Sequence, residues 1–396
     1  MFALRVFENV KWRSARYLII IVCTFIFIVY NDIPDFLLTN VLTGYPDQTW
    51  NLSMRNFSLF NVSEIRFTAV PSTDLFLTNM VENDEKDCCA GNCTSIYILA
   101  LIISSWNNFR IREVIRDTWA FNGNISVENR THYVRHVFIV GQAPYNSSLS
   151  EQENISSQLK LESEIGLFQD ILKINIMDTY ANLTYKTMSG ITFALMRGIQ
   201  NKISPLFKSS CFKRYLLKID DDTLPNLASL IETLLNYHEN LSIINLSMSQ
   251  KDSITSPVFI CNVVGRELPI RDHKHKNFLS SSDYPPSKLP PFCRGSAYLL
   301  SYHLRTLENM CIMSRLSNYI ANEDVYVTGM LSQLLNISMV NIGHAYYTGH
   351  YPANISRMLD YRNYIFMTHV HEIHDLLEIW NRSMPEIHGT YVVDVI

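Results

Sequence analysis

The 396-residue chain divides by the spacing of its apolar positions. An uncharged run from Tyr17 to Tyr30 follows Arg5, Lys11, Arg13 and Arg16. Its length suits a short membrane span or the core of a signal peptide. The exit, "VYNDIPDF", offers no small-x-small cleavage pattern, so an uncleaved anchor is expected. The basic flank keeps the tail, 1–16, cytosolic and sends everything beyond the anchor, 17–30, into the lumen. A short span also matches a thin early secretory membrane. Residues 31–94 are polar, show no sustained periodicity and read as a stem.

From residue 95 the pattern changes. "SIYILALIIS", "HVFIVG", "ILKINIMD" and "RYLLKID" are compact apolar runs of strand length. Between them lie "NFRIREVIRDTW", "SEQENISSQLKLESEIGLFQDI" with Ser150 as a candidate N-cap, and "NLTYKTMSGITFALMRGIQN", which space their apolar residues as helices do. This alternation predicts an α/β fold over 95–396, a Rossmann-type, mostly parallel sheet with helices on both faces. Ligands of such sheets bind beyond the carboxyl ends of the strands.

Composition adds a compartment and removes a partner. Net charge is −4 and no basic patch is present, which argues against nucleic acid. Fourteen N-x-Ser/Thr sequons follow the anchor, well above what composition alone yields, and they point to the secretory lumen. Beyond the anchor stand Cys88, Cys89, Cys93, Cys211, Cys261, Cys293 and Cys311. In an oxidising lumen disulfides are expected, since no zinc spacing is present. Their odd number leaves a free thiol or a bond between chains, as in a homodimer.

Candidate chemistry begins at "YLLKIDDDTLPN", where an apolar strand runs into Asp220, Asp221 and Asp222. Adjacent carboxylates repel, so the run is either a solvated turn or a cation site. Its place at a strand's carboxyl end favours the cation. "REVIRDTW" sets Arg112 and Arg116 at i and i+4, which suits either a solvated helix face or a fork for diphosphate. "NEDVYVTGM" supplies Glu323 and Asp324, a catalytic carboxylate or a helix-start carboxylate beside a capping Asn322. His369, His371 and His374 cluster in "THVHEIHD", a spacing that suits zinc or surface chance. "LPPFCRGSAYLLS", with two prolines and Gly295, reads as a rigid turn that allows close backbone approach.

Taken in order, "REVIRDTW", "VFIVG", "EIGLFQDIL", "DTYANLTYKT", "KIDDDTLPN", "KNFLSSSDYP", "LPPFCRGSAYLLS" and "EDVYVTG" resemble the β-1,3-galactosyltransferase family. That family includes β-1,3-N-acetylglucosaminyltransferases and is related to Fringe; the resemblance spans Ser95 to Arg382. It implies a type II Golgi membrane protein with a GT-A-like catalytic domain. The implied donor is UDP-galactose or UDP-N-acetylglucosamine, the implied cofactor Mn²⁺, and the acceptor a glycan on protein or lipid.

The resemblance also assigns residues. Asp222 is implied as the direct metal ligand, with Asp220 and Asp221 holding the nucleotide ribose or the ligand geometry. The family has a histidine eleven residues before the "IW" matched here at Trp380, which selects His369 as a second ligand and leaves His371 and His374 without a role. Arg112, Arg116, Asp178 and Lys186 are implied around the donor nucleotide, with Asn182 structural. Asp324 is implied as the base that deprotonates the acceptor. Two departures stand out. Many members have one residue between the Tyr and Gly of the "EDVYVTG" block where this chain has Val327 and Thr328, and many carry Ser where Arg294 stands.

Overall fold

The structure, a computed structural model, describes residues 65–71, 95–120, 124–128, 130–144, 151–200, 212–247, 256–265, 267–348, 363–383 and 391–392. These belong to one compact unit, Ser58–Ile396. The expected tail and anchor lie outside the described residues, as do most of the stem, Ser150, Cys88, Cys89, Cys93 and Cys211. Among the described residues no helix is long and apolar enough to cross a membrane.

Strand β1 (Phe67–Ala69) precedes β2 (Ser95–Ile103), the longest apolar run of the fold. Its side chains alternate between two cores: Ile96, Ile98, Ala100 and Ile102 enter one, and Leu99, Leu101 and Ile103 enter the other. A strand buried on both faces needs no polar side, which is why its sequence is continuously apolar. Helix α1 (Phe109–Asp117) and the short β3 (Asn124–Val127) lead to β4 (Arg130–Gln142), and α2 (Glu151–Phe168) leads to β5 (Ile171–Met177). Then come α3 (Leu183–Gln200) and β6 (Phe212–Asp220). Strands β2, β4, β5 and β6 pair in parallel in the order β5-β4-β2-β6.

The chain thus builds outward from β2 to β5, then returns to the other side of β2 for β6. That reversal is a topological switch point, where doubly wound sheets open a crevice at the strand ends. The strand ends there are Ile103 and Asp220.

The remainder differs from the expected mostly parallel sheet. Strand β9 (Phe292–Ser301) pairs antiparallel with β6 and with β8 (Val258–Val264), and β10 (Ser338–Asn341) closes that edge. The sheet is therefore mixed, with ten strands among the described residues. The segment read as a rigid turn, "LPPFCRGSAYLLS", is this antiparallel strand: its prolines sit before it, where no ladder donor is lost, and Gly295 lies within it. A disulfide, Cys261–Cys293, ties β8 to β9, and Cys311 is buried and free.

Short β7 (Leu224–Pro225) follows the aspartates and joins β11 (Tyr346–Tyr347) and β12 (Phe366–Met367) in a second small sheet. Strand β13 (Tyr391–Val392) pairs with β3. Helix α4 (Leu227–Ser247), with α1, α2 and α7 (Ile373–Ser383), covers one face of the large sheet. Helix α3, α5 (Leu304–Leu316), a π-helical segment from Val325 to Leu331 and the short α6 (Ser332–Leu335) cover the other.

Candidate active site

The carboxyl edge of the parallel strands is held by buried ions. Asp178, just past β5, accepts from the Trp106 and Gly141 backbone N–H groups at 2.9 Å each and from Lys186 Nζ at 2.9 Å. A Cβ on Gly141 would lie 2.7 Å from the Ile176 carbonyl oxygen and 2.8 Å from Asp178 Cα, so only glycine lets the two strand ends close together. Lys186 also donates to the Ser104 carbonyl at 2.6 Å. Burial pushes its ammonium below the ordinary lysine range, against the pull of Asp178. Both residues anchor the rim, and Asn182, as expected, is structural, donating to the Met177 carbonyl.

Along the same edge Asp221 accepts from Asn108 Nδ2 at 2.8 Å, and burial raises its carboxyl. Asp220 is held by Lys218 at 2.6 Å, yet burial still pushes it up to about 7. Lys218 projects from β6 into the buried face that Leu216 shares, where an aliphatic residue is expected. Its Nζ donates to Asp220 and to the Gly295 carbonyl, and lies 3.5 Å from Glu323. Burial disfavours the charge, but these carboxylates hold the ammonium above its ordinary range. Sequence reasoning passed over Lys218; a cation in the middle of an apolar strand was the available signal.

Two expectations are corrected here. Arg112 is fully buried, and its five N–H groups go to both Glu164 oxygens, Ser104 Oγ and the Ser105 and Trp106 carbonyls. No donor remains for a diphosphate. Arg116 pairs with Asp170 at 2.7 and 2.8 Å and with Glu164 at 2.9 Å, stacked on Phe138 and Phe168. Arg112 supports the Ser104–Trp106 loop from beneath, and Arg116 locks α1 to α2. Glu164 and Asp170, their partners, were missed because the pairing spans about fifty positions in sequence.

Beyond the aspartate turn, Asp222 meets His369, as expected, but also His371. Asp222 Oδ2 lies 3.5 Å from His369 Nδ1 and 3.4 Å from His371 Nδ1. One ligand atom from each of the three lies within 4.8 Å of the others. A carboxylate oxygen and two imidazoles suit a divalent ion such as Mn²⁺, so the residues fit the implied cofactor. The backbone fastens this corner: Val370 N–H donates to the Asp222 carbonyl at 2.8 Å, and His369 takes a left-handed φ of 64°. His374 stands apart, exposed and beside Asp375 and Glu378 on α7.

Across Lys218 lie the two carboxylates of the "NED" turn. Glu323 is buried, accepts from Tyr298 Oη at 2.6 Å and faces Lys218. Asp324 caps the π-helical segment, its Oδ1 accepting from Val325 N–H at 2.9 Å. Burial, then the neighbouring Glu323 charge, pushes the Asp324 carboxyl up to about 6. Its other oxygen borders Gly295, where a built Cβ would lie 3.5 Å from Oδ2. Missing a side chain there, the strand leaves a notch against the carboxylate. Arg294, next to it, is exposed.

A doubly wound half-sheet thus brings together an acidic turn at its switch point, a carboxylate–imidazole corner and a carboxylate raised to about 6. The Galactosyltransferase family profile matches residues 110–343, and the chain belongs to that family. It is similar to the rat UDP-GalNAc:beta-1,3-N-acetylgalactosaminyltransferase 1, 28% identical over 253 residues, or 63% of each chain. Human beta-1,3-galactosyltransferase 9 is 27% identical over 218 residues, 55% of this chain and 48% of that one. Gorilla beta-1,3-galactosyltransferase 5 is 26% identical over 261 residues, 66% of this chain and 72% of that one. The match thus spans less than two thirds of the first two relatives' length.

Proposed function

We infer that the protein is an inverting, UDP-sugar-dependent β-1,3-glycosyltransferase of the Golgi lumen, held by an anchor at 17–30. Galactose is the first reading of the donor sugar and N-acetylglucosamine the second. The relatives' names support a β-1,3 linkage and add N-acetylgalactosamine to the donors to be compared. One observation carries the reading: Asp324, whose carboxyl burial pushes up to about 6, borders Gly295, and its neighbour Glu323 is tied through Lys218 to the Asp220–Asp222 turn.

Asp324 takes the proton from the acceptor hydroxyl as that oxygen attacks the anomeric carbon of the sugar. The new C–O bond forms on the face opposite the diphosphate, whose own C–O bond breaks and leaves with the electron pair as UDP. An α-linked donor then yields a β product. Asp222 with His369 would hold Mn²⁺, which when bound neutralises charge on the diphosphate. Asp220 and Asp221, kept in place by Lys218 and Asn108, set the floor on which the nucleotide rests.

A lumenal glycan-binding protein without catalysis is the rival, and the retained Asp222, Asp324 and His369 weigh against it. The test is UDP release from UDP-galactose, UDP-N-acetylgalactosamine and UDP-N-acetylglucosamine with Mn²⁺ and simple glycosides. Acceptor-dependent release with a new β-1,3 linkage is expected. Glycoside binding with no release from any donor would leave the rival standing.

A further inference from the structure

The geometry points to a complete three-ligand cation site at Asp222, His369 and His371, one that takes a single divalent transition-metal ion without nucleotide. In it, His371 shifts preference from Mn²⁺ toward Co²⁺ and Zn²⁺. This deepens the donor-site reading above and rests on it. Both imidazole Nδ1 atoms face the same carboxylate oxygen, at 3.5 and 3.4 Å. Ligands bonded at about 2.1 Å to one ion, at angles between right and tetrahedral, stand about 3.0 to 3.5 Å apart.

The backbone sets this arrangement before any ion arrives. Thr368 is buried with its N–H and hydroxyl both on the Tyr347 carbonyl, and the buried Val370 is hydrogen-bonded to Asp222 itself. Between these pins His369 adopts the left-handed region, a conformation that costs a non-glycine residue energy and persists where surroundings impose it. The result places two histidines, two residues apart, over one carboxylate. Their side chains remain 59% and 70% exposed, so the remaining coordination positions face solvent and are open to a phosphate.

Chemistry gives the preference. An aspartate with one imidazole is a weak site that relies on nucleotide phosphates for its other ligands. A second imidazole adds a nitrogen donor, and nitrogen donors favour Co²⁺ and Zn²⁺ over Mn²⁺. His371 is therefore a ligand, with a consequence separable from turnover.

The test uses full-length protein in detergent, stripped with EDTA and titrated calorimetrically with Co²⁺ or Mn²⁺ in the absence of nucleotide. Wild type should bind one Co²⁺ per chain with an optical band characteristic of nitrogen coordination. His371→Ala should lose about tenfold or more in Co²⁺ affinity, since losing even an outer partner of a metal ligand costs about that much. It should lose less for Mn²⁺, and Asp222→Ala should abolish both. His374→Ala, remote from the cluster, should match wild type. His371 is exposed, so its truncation leaves the packing intact. Co²⁺ affinity of His371→Ala within twofold of wild type, or no Co²⁺ uptake by wild type without nucleotide, overturns the proposal. Because no donor or acceptor is present, failure here is distinct from failure of sugar transfer.

Discussion

Asp324 and Glu323 are neighbours in sequence but not in chemistry. Glu323 is committed to Tyr298 and Lys218, whereas Asp324 keeps one oxygen on Val325 N–H and turns the other to the Gly295 notch. Asp324→Asn should therefore cost transfer at least about a hundredfold while UDP-sugar affinity holds, and Glu323→Gln should cost less. Wild-type transfer should fall tenfold per pH unit below about 6, because the base must be ionised and its carboxyl is raised. Stability runs the opposite way. A carboxyl raised in the folded state makes ionisation unfavourable to folding, so Asp324→Asn should melt higher near pH 7.5, with the gain vanishing below about pH 4. An acid limb in the rate profile well below 5 would assign the base elsewhere. Gly295→Ala tests the notch: the added methyl meets no atom closer than 3.4 Å, so melting should hold while acceptor turnover drops about tenfold or more. At this scale the sequence was legible wherever chemistry is local: an acidic run after a strand, a carboxylate at a helix start. It was silent on Lys218, and it offered His371 only as one of three clustered histidines, because the partners of both are brought to them by distant parts of the chain.

The elements follow the same division. The four parallel strands and their helices were readable because burial on both faces leaves an unbroken apolar run and a clean change of period. Strands β8 and β9 were not, since proline and glycine in "LPPFCRGSAYLLS" look like a turn until antiparallel pairing with β6 and β8 is known. The additional residue after "VY" was a departure without a structural outcome in sequence. In the fold Val327 and Thr328 lie within the π-helical segment Val325–Leu331, wound one residue wider than an α-helix, and Asp324 caps it. Thr328 holds that turn, donating to the Asp324 carbonyl at 2.6 Å and accepting from the Cys293 N–H at 2.8 Å. Thr328→Val preserves the shape but strands a buried N–H, and should destabilise by about 1 to 3 kcal/mol in urea unfolding. With the Asp324 carbonyl released, kcat should fall more than donor KM rises. Unchanged stability would mean that the turn does not depend on this hydroxyl.

For the molecule as a whole, buried charge joins the first βαβ unit to the cleft. Arg112 and Glu164 brace the Ser104–Trp106 loop that Asp178 and Lys186 grip from above, and Arg116, Asp170 and His136 extend the network away from the site. The family pattern placed both arginines at the donor; the fold gives them to the scaffold, and the difference is measurable. Burial works to raise the Asp170 carboxyl, but hydrogen bonds from Arg116 and His136 win and draw it down to about 2. A carboxyl depressed in the folded state contributes stability above its unfolded value, about 4, and that contribution disappears as pH falls toward 2. Arg116→Gln should thus lower the unfolding free energy at pH 7 by about 3 to 5 kcal/mol, the usual loss when one partner of a buried pair is removed. The gap from wild type should narrow as pH falls from 4 to 2, read by thermal unfolding at each pH. At temperatures where the variant remains folded, its donor KM and kcat should match wild type, because Arg116 touches carboxylates and aromatic rings rather than substrate. A large rise in donor KM with stability intact would return Arg116 to the nucleotide and break the division between scaffold and site.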